Sequence, residues 1–193
     1  MSGYSFIPSF RILLYNVGTS NTIIEAMKSR RSCRAFKPDP VPRDLVEQVA
    51  EAGLWAASGM GRQSTKIVAI TDKSLRDRIA EQNRKIGGWP EGFDPFYGAP
   101  VILAVIADKN AFTGIYDGSL VMGNLMLAAH SLDLASIWIH RAKEEFESEE
   151  GKTLLKSLGI EGDWVGIGHC ALGYAAAPLP AGAPRKPGRI VWA

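Results

Sequence analysis

A short basic stretch near the start of the chain, KSRRSCRAFKPDPVP at residues 28–42, carries the residues best suited to bind an anion. Four of its cations lie within seven positions: Lys28, Arg30, Arg31 and Arg34. Arginine binds phosphate oxygens in two places at once, and several such groups neutralise a phosphate dianion. A second basic pair, Arg185 and Lys186, lies near the other end in PRKP. Composition alone favours a solvated helix end for the first cluster, stabilised by the helix dipole.

Other common catalytic and metal-binding motifs are absent from the sequence. The three histidines and two cysteines have no zinc-ligand spacing, and no GxSxG, GxxxxGK[ST] or GxGxxG motif follows a strand. His130 and His169 lie in apolar runs and are interpreted as core residues. For Cys33 we expect a packing role rather than redox chemistry.

The composition is that of a single globular domain. The chain has 193 residues, of which 46% are hydrophobic and 22% charged, with a net charge of only +2. This balance argues against a nucleic-acid partner, because such domains usually carry a large basic excess. Two cysteines do not suggest a disulfide framework, so free thiols in a cytoplasmic protein are expected. No apolar run is long enough to span a membrane, so no membrane partner is predicted.

The first part of the chain is predicted to hold two helices, a loop and a strand. A possible capping box, Thr22 with Glu25, starts a helix that cannot pass the prolines of FKPDPVP, so the arginines lie at its end and just beyond. A second helix starts after Pro42 and presents an apolar face; Leu45, Val46, Val49 and Leu54 form this face. It stops at the loop SGMGRQSTK, and KIVAIT at residues 66–71 then reads as a strand.

The remaining elements complete an α+β pattern. A helix opened by Ser74 and closed by Gly87 and Gly88 precedes the buried strand APVILAVIAD. The stretch 116–134 is apolar on nearly every side, so it must be covered by its own domain or by another copy of the chain. Two further strands, ASIWIH and VGIGHCALGY, flank a charged helix around residues 144–158, and RIVW in the tail can add an edge strand. Because the helices and strands do not alternate regularly, we predict α+β rather than a doubly wound fold.

Five segments, in the right order, resemble the nitroreductase family of FMN-dependent oxidoreductases. They are SRRSCRAFKPDPVP, AASGMGRQSTK, FDPFYGAPVILAV, GSLVMGNLMLAAHSLDLASIWI and GHCALGYAAAPLPAGAPRKP. The resemblance runs from about residue 22 to the end. It implies a nitroreductase-like fold, with a central, mainly antiparallel sheet flanked by helices, in an intertwined homodimer. We therefore expect an extension at 1–21 and one FMN-binding domain at 22–193.

The resemblance also implies roles for individual residues. Arg30, Arg31 and Ser32 match residues that reach the FMN phosphate and ribityl chain, with Arg185 and Lys186 as a C-terminal phosphate clamp. Arg34 matches the cation beside flavin N1 and O2, where it stabilises the negative charge of the reduced ring. Asn83 matches an asparagine at the pyrimidine edge. Residues matching a loop from the other subunit are Ala57, Ser58, Gly59 and Gly61. Residues matching the segment whose backbone N–H groups approach flavin N5 and O4 are Trp138, Ile139, His140 and Arg141. His140 is also a candidate acid, although the family position works through its backbone.

The sequence departs from the family pattern in the loop. Ala57 stands for the usual Pro, Gly61 for Asn, and Ser64-Thr65 for Pro-Trp. Losing the asparagine at position 61 removes a side-chain hydrogen bond, so FMN affinity or substrate shape is expected to differ.

The activity implied is hydride transfer from NADH or NADPH, through FMN, to nitroaromatics, quinones or similar small flat acceptors by a ping-pong mechanism. Alternatives are the same fold and FMN with different flavin chemistry, either reductive dehalogenation or flavin fragmentation, and a flavin-binding protein without turnover. The short segment 85–98 leaves little room for the long lid associated with the other flavin chemistries.

Overall fold

The computed structural model describes residues 21–193, and the predicted extension at 1–21 therefore lies almost wholly outside the described residues. The first helix, α1, spans Thr22–Ser29, as predicted. Its cap is Asn21, whose side chain accepts hydrogen bonds from the N–H groups of Ile23 and Ile24, so the expected capping box at Thr22 is wrong. Beyond Ser29 the chain is extended until the second helix.

The second helix, α2, spans Arg43–Leu54 and follows Pro42, which is the N-cap rather than the first helical residue. It buries Val46 and Val49 as predicted, but Leu54 is about half exposed (53%). Leu54 lies in the last turn, where the helix gives way to the loop and no longer faces the core. The loop contains a short 3₁₀ turn at Gly59–Gly61.

The described residues form a four-stranded antiparallel sheet, which confirms the predicted architecture. The strands are β1 at Thr65–Ile70, β2 at Val101–Asp108, β3 at Ala135–Ile139 and β4 at Trp164–Gly173. Their order is β1-β2-β4-β3, and each neighbouring pair is antiparallel. The central strand β2 is buried from Val101 to Ala107, as its unbroken apolar run predicts.

Four more helices connect and cover the strands: α3 at Lys73–Gly87, α4 at Gly114–Ser131, α5 at Ala142–Glu147 and α6 at Glu149–Ser157. Asp72, not Ser74, caps α3, and Gly88 closes it in the left-handed region (φ 66°). The single charged helix predicted at 144–158 is two helices. Ser148 separates them because its extended backbone ends α5 while its hydroxyl accepts the Gly151 N–H (3.0 Å) to start α6.

The alternating side chains of β2 divide the core into two layers, one on each face of the sheet. One layer contains Ile102 and Ile106 with Phe96 and Phe146, beneath α3, α5 and α6. The other contains Leu103 with the α4 residues Met122 and Leu125, beneath α2 and α4. In the second layer, α4 packs directly on the sheet.

Helix α4 remains partly uncovered in one chain. Met122 and Leu125 are fully buried, whereas Ile115 (62%), Tyr116 (70%) and Leu120 (51%) are exposed. The expectation that every side of this helix is covered is therefore not met by the domain's own residues. A large exposed apolar face is typical of an interaction surface.

The tail beyond Gly173 runs over the surface. An isolated bridge pairs Ala175 with Phe36, and no further strand forms in residues 177–193 of the described chain. The prediction of an edge strand at RIVW is therefore wrong for the single chain, in which Ile190, Val191 and Trp192 are exposed. Within residues 21–193, the structure has no helix with the length and apolar character needed to cross a bilayer.

Candidate functional site

The extended segment after α1 is held rigidly across one end of the sheet. Ser32 bridges to Ser136 on β3, and the Cys33 N–H donates to the Ser136 carbonyl (3.1 Å). Further along, the Phe36 N–H donates to the Tyr97 carbonyl (3.2 Å). Cys33 itself is buried (1% exposed), in agreement with the packing role predicted for it. The neighbouring arginines are therefore carried by a fixed backbone.

A cleft of about 920 Å³ separates this segment from the C-terminal tail. Its lining residues are Met27, Lys28, Arg30, Arg31, Ser32 and Arg34 on one side, and Pro180, Ala181, Gly182, Ala183, Pro184 and Arg185 on the other. The structure thus brings together five of the predicted site residues from distant parts of the sequence, which are Arg30, Arg31, Ser32, Arg34 and Arg185. Lys186 is exposed and does not line the cleft, so its predicted role in the clamp has no support from this geometry.

The charge of the cleft is one-sided. Its described lining contains five cations and no aspartate or glutamate. Lys28 is the cation already paired, because its ammonium lies 3.1 Å from the exposed Glu25 carboxylate. Such a surface attracts an anion with several oxygens.

Arg30 has the most demanding environment in the cleft. Its Nη1 atom is buried and has no hydrogen-bond partner among the described residues. A buried polar donor without a partner costs free energy, so a missing acceptor is indicated at this position.

Arg31 is already engaged in part. Its Nη1 donates to the carbonyls of Lys28 (2.6 Å) and Arg30 (2.7 Å), which satisfies the open end of α1. The tail packs directly on this guanidinium, because a Cβ at Gly182 would overlap it. On the tail side of the cleft, Arg185 Nη2 donates to the Ala183 carbonyl (2.6 Å), so this side chain holds the backbone of its own segment.

The loop that follows α2 is organised by a carboxylate that the sequence reasoning missed. Asp117, in the first turn of α4 and 4% exposed, accepts the Gly59 N–H (3.0 Å) and the hydroxyls of Ser64 and Thr113 (both 3.0 Å). A lone acidic residue in the otherwise apolar run YDGSLVMGN was the available signal. Gly59 contacts the start of α4. Together with Ala57, Ser58 and Gly61, it does not line the cleft of its own chain.

The structure explains two of the loop's departures. Gly61 has φ 66°, in the left-handed region that glycine and asparagine adopt most readily. Glycine can therefore replace asparagine here without a change of backbone conformation. Ser64 donates to Asp117, which gives this position a partner of its own. The expected loss of an asparagine side-chain contact at position 61 remains untested.

The turn after β3 has an unusual backbone. Arg141 has φ 78°, and its N–H has no acceptor among the described residues. Asn83 is 1% exposed and donates from Nδ2 to the His140 carbonyl (2.8 Å), which fixes the turn from below. The structure therefore gives Asn83 a supporting contact, and its predicted place at the pyrimidine edge stays a prediction.

The side chains of this turn point to different surroundings. Trp138 and Ile139 are half-buried, whereas the His140 ring is exposed and lies 5.9 Å from the Trp138 ring. The Arg141 guanidinium lies over the Trp89 ring, 5.9 Å from its centroid. The turn does not line the cationic cleft, so its predicted contacts with the flavin ring are likewise untested.

The other titratable groups of interest are structural. His169 is fully buried, and its Nε2 lies 2.8 Å from Oε2 of Glu145 (2% exposed), without the directional geometry of a hydrogen bond. His130 is half-buried and shares a 2.8 Å hydrogen bond with Ser29, so it joins α4 to α1. Burial raises the pKa of the Cys170 thiol to about 12. No group of three or more His, Cys, Asp or Glu residues in the described chain is arranged to hold a metal ion.

Comparison with known proteins identifies relatives over most of the chain. The family model described as "Nitroreductase family" matches residues 27–174. A nitroreductase with bound FMN from Bacteroides fragilis superimposes with a TM-score of 0.83 at 27% identity, covering 90% of this chain and 100% of that one.

Curated sequences match over a shorter range. A putative NADH dehydrogenase/NAD(P)H nitroreductase of Methanothermobacter thermautotrophicus is 28% identical over 60% of this chain and 59% of its own length. An FMN reductase [NAD(P)H] of Bacillus subtilis is 24% identical over 61% of this chain and 53% of its own. The matched region thus spans little more than half the length of these two curated relatives.

Proposed function

The chain belongs to the nitroreductase family, and from that premise we propose that it is a homodimeric FMN-dependent oxidoreductase using NADH or NADPH. The proposal assigns residues 22–193 to one FMN-binding domain. It is supported by the FMN-bound structure from B. fragilis and by the relatives named for NAD(P)H oxidation.

The observation that carries the proposal is the Nη1 atom of Arg30, which is buried and has no partner among the described residues. Arg30 also lines the cleft, so a phosphate group bound there would give its guanidinium an acceptor. Arg185 approaches the same space from the tail, and the described lining contains no carboxylate to repel the ligand. The residues present therefore fit the phosphate end of FMN.

Bound FMN would supply the ring that takes up and releases a hydride equivalent, which amino-acid side chains cannot do. The chain's own residues bind and orient this group. Arg34 follows the phosphate cations on the same rigid segment, and we assign it to the flavin edge, where its charge stabilises the negative charge added on reduction. The left-handed turn at Arg141 leaves its N–H without an acceptor among the described residues, which suits a donor to a ring nitrogen.

A second copy of the chain is proposed to cover the exposed face of α4. Ile115, Tyr116 and Leu120 of α4 are exposed, and so are Ile23 and Ile24 of α1, at 61% and 49%. Burying such a face removes apolar area from water at about 25 cal/mol per Å². In the dimer, the loop at residues 57–61 is proposed to reach the flavin of the partner subunit.

The acceptor is proposed to be a small flat aromatic, such as a quinone or a nitroaromatic, that uses the same site after the nicotinamide has left. Alternate use of one site predicts ping-pong kinetics. The side chains proposed around the ring, with the exception of His140, are not ordinary proton donors at neutral pH. Stacking and electron transfer, rather than side-chain acid catalysis, are therefore expected to dominate.

Steady-state oxidation of NADH and NADPH by the FMN-loaded protein, with quinones and nitroarenes as acceptors, tests this function. Parallel lines in double-reciprocal plots are expected when donor and acceptor are varied together. Saturation with FMN but no turnover of any acceptor would instead identify a flavin-binding protein without this activity.

A further inference from the structure

Asp117 is a buried carboxylate that accepts three hydrogen bonds. Its Oδ1 accepts the Gly59 N–H, and its Oδ2 accepts the hydroxyls of Ser64 and Thr113, each at 3.0 Å. Only 4% of the residue is exposed. A carboxylate accepting three hydrogen bonds in a buried place is strongly held, because charge-assisted hydrogen bonds are about twice as strong as neutral ones.

The loop bound by Asp117 needs such an anchor because its backbone is strained. Met60 (φ 56°), Gly61 (φ 66°) and Gln63 (φ 49°) all lie in the left-handed region within four positions. For Met60 and Gln63 this conformation costs on the order of 1 kcal/mol each, and it persists only where the surroundings impose it. Met60 is 89% exposed, so its own side chain supplies no compensating burial.

The contacts to Asp117 fix both ends of this strained stretch. Gly59 precedes the left-handed residues, and Ser64 follows them. Gly59 also fits closely against α4, since a Cβ there would overlap the Thr113 side chain. The loop therefore keeps one conformation relative to the first turn of α4.

We propose that Asp117 is a positioning residue for the neighbouring active site: by holding the loop at residues 57–61 on α4, it sets the contacts that this loop makes with the flavin bound by the partner subunit. The inference rests on the proposed function, because it requires a dimer with FMN in the cleft. Asp117 would act on the cofactor through the loop and across the subunit boundary.

Replacement of the side chain tests the role. In Asp117→Ala the three donors lose their acceptor. We expect the Kd for FMN to rise about tenfold, which corresponds to the loss of one hydrogen bond between the loop and the flavin. Asp117→Asn should recover most of this loss, because the amide oxygen can still accept the Gly59 N–H while the amide NH₂ donates to a hydroxyl oxygen.

Asp72→Ala is the control. Asp72 also holds a backbone segment, since it accepts the Leu75 N–H (2.8 Å) and the Ser74 hydroxyl (2.6 Å) at the start of α3, but these residues are not part of the proposed site. Both alanine variants are expected to lower the Tm. Only Asp117→Ala should change the Kd for FMN, and equal effects of the two variants on FMN binding would overturn the positioning role.

A heterodimer of Asp117→Ala with Arg30→Ala tests action across the boundary. One of its two sites combines Arg30 of the Asp117→Ala chain with the intact loop of the Arg30→Ala chain, so that site is native. We expect about half of the wild-type turnover at FMN concentrations that leave both parent homodimers largely empty. A heterodimer as inactive as its parents would overturn the proposal. If wild-type protein binds no FMN or is a monomer, the proposed function itself has failed, and that result is read from the wild type alone.

Discussion

Replacing Arg30 by methionine should affect the free and the FMN-bound protein in opposite directions. The Nη1 atom of Arg30 is buried without a partner among the described residues. An unsatisfied buried donor costs about 1–3 kcal/mol, so a side chain of similar shape without the donor removes that cost. In the FMN-free protein, Arg30→Met is therefore expected to raise the free energy of unfolding by about 1 kcal/mol.

With FMN present the sign reverses. A hydrogen bond to a charged group contributes about 1.5–3 kcal/mol, so its loss should raise the Kd for FMN by roughly 10- to 150-fold. Urea unfolding of the FMN-free protein and fluorescence titration with FMN measure the two effects separately.

Lys28→Met is the matched control because it removes one positive charge from the same cleft. Lys28 is paired with Glu25, and its side chain is 67% exposed, so the change in the Kd for FMN should be less than about fivefold. The reasoning is refuted if Arg30→Met binds FMN as tightly as wild type, or if the two variants weaken FMN binding equally.

Three further predictions follow from the described contacts. Arg34→Ala should retain FMN but make its two-electron reduction potential roughly 20–40 mV more negative, because a charge interaction of about 1–2 kcal/mol with the reduced ring is lost. An unchanged potential in a spectroelectrochemical titration would contradict the role given to Arg34. Burial raises the pKa of Cys170 from 9.0 to about 12, so the native thiol should resist alkylation at pH 9 while the unfolded chain reacts. For the same reason, the stability contributed by this group should fall as pH rises above 9. Mass spectrometry of the native protein after brief iodoacetamide treatment checks the first result, and rapid labelling of Cys170 would refute it. In Gly166→Ala the new Cβ would overlap the Ala142 carbonyl at the start of α5. We expect the free energy of unfolding to fall by about 3 kcal/mol and the Tm, measured by calorimetry, to fall by about 6 °C or more. A Tm equal to that of wild type would show that α5 moves freely.

Local sequence patterns predicted most of the fold because their causes are local. The apolar run of β2, the prolines after α1 and Gly88 at the end of α3 each determine the conformation of a few neighbouring residues. The errors were also local. Asn21 precedes Thr22 at the start of α1, and Asp72 lies two positions before Ser74 at the start of α3. In both places the pattern did not identify the residue that forms the capping hydrogen bonds.

The site was only partly predictable because its supporting contacts join distant residues. Asp117 meets Gly59 across 58 positions, and Asn83 meets His140 across 57. Neither spacing leaves a periodic signal in the sequence. The meeting of Arg30 with Arg185 was expected from the family resemblance rather than from any pattern in the residues themselves.

The uncovered face of α4 shows the opposite case. Its all-round apolar character was visible in the sequence, but a single chain accounts for only the side that includes Met122 and Leu125. The cover expected for the other side stays a prediction, and the second copy that we propose would supply it.

The most direct test of the central claim is an anaerobic stopped-flow experiment on the FMN-loaded wild-type protein. NADH or NADPH should bleach the visible flavin absorbance, and later addition of a quinone should restore it without release of FMN. A fully loaded protein whose flavin absorbance is unchanged by either nicotinamide would contradict the claim.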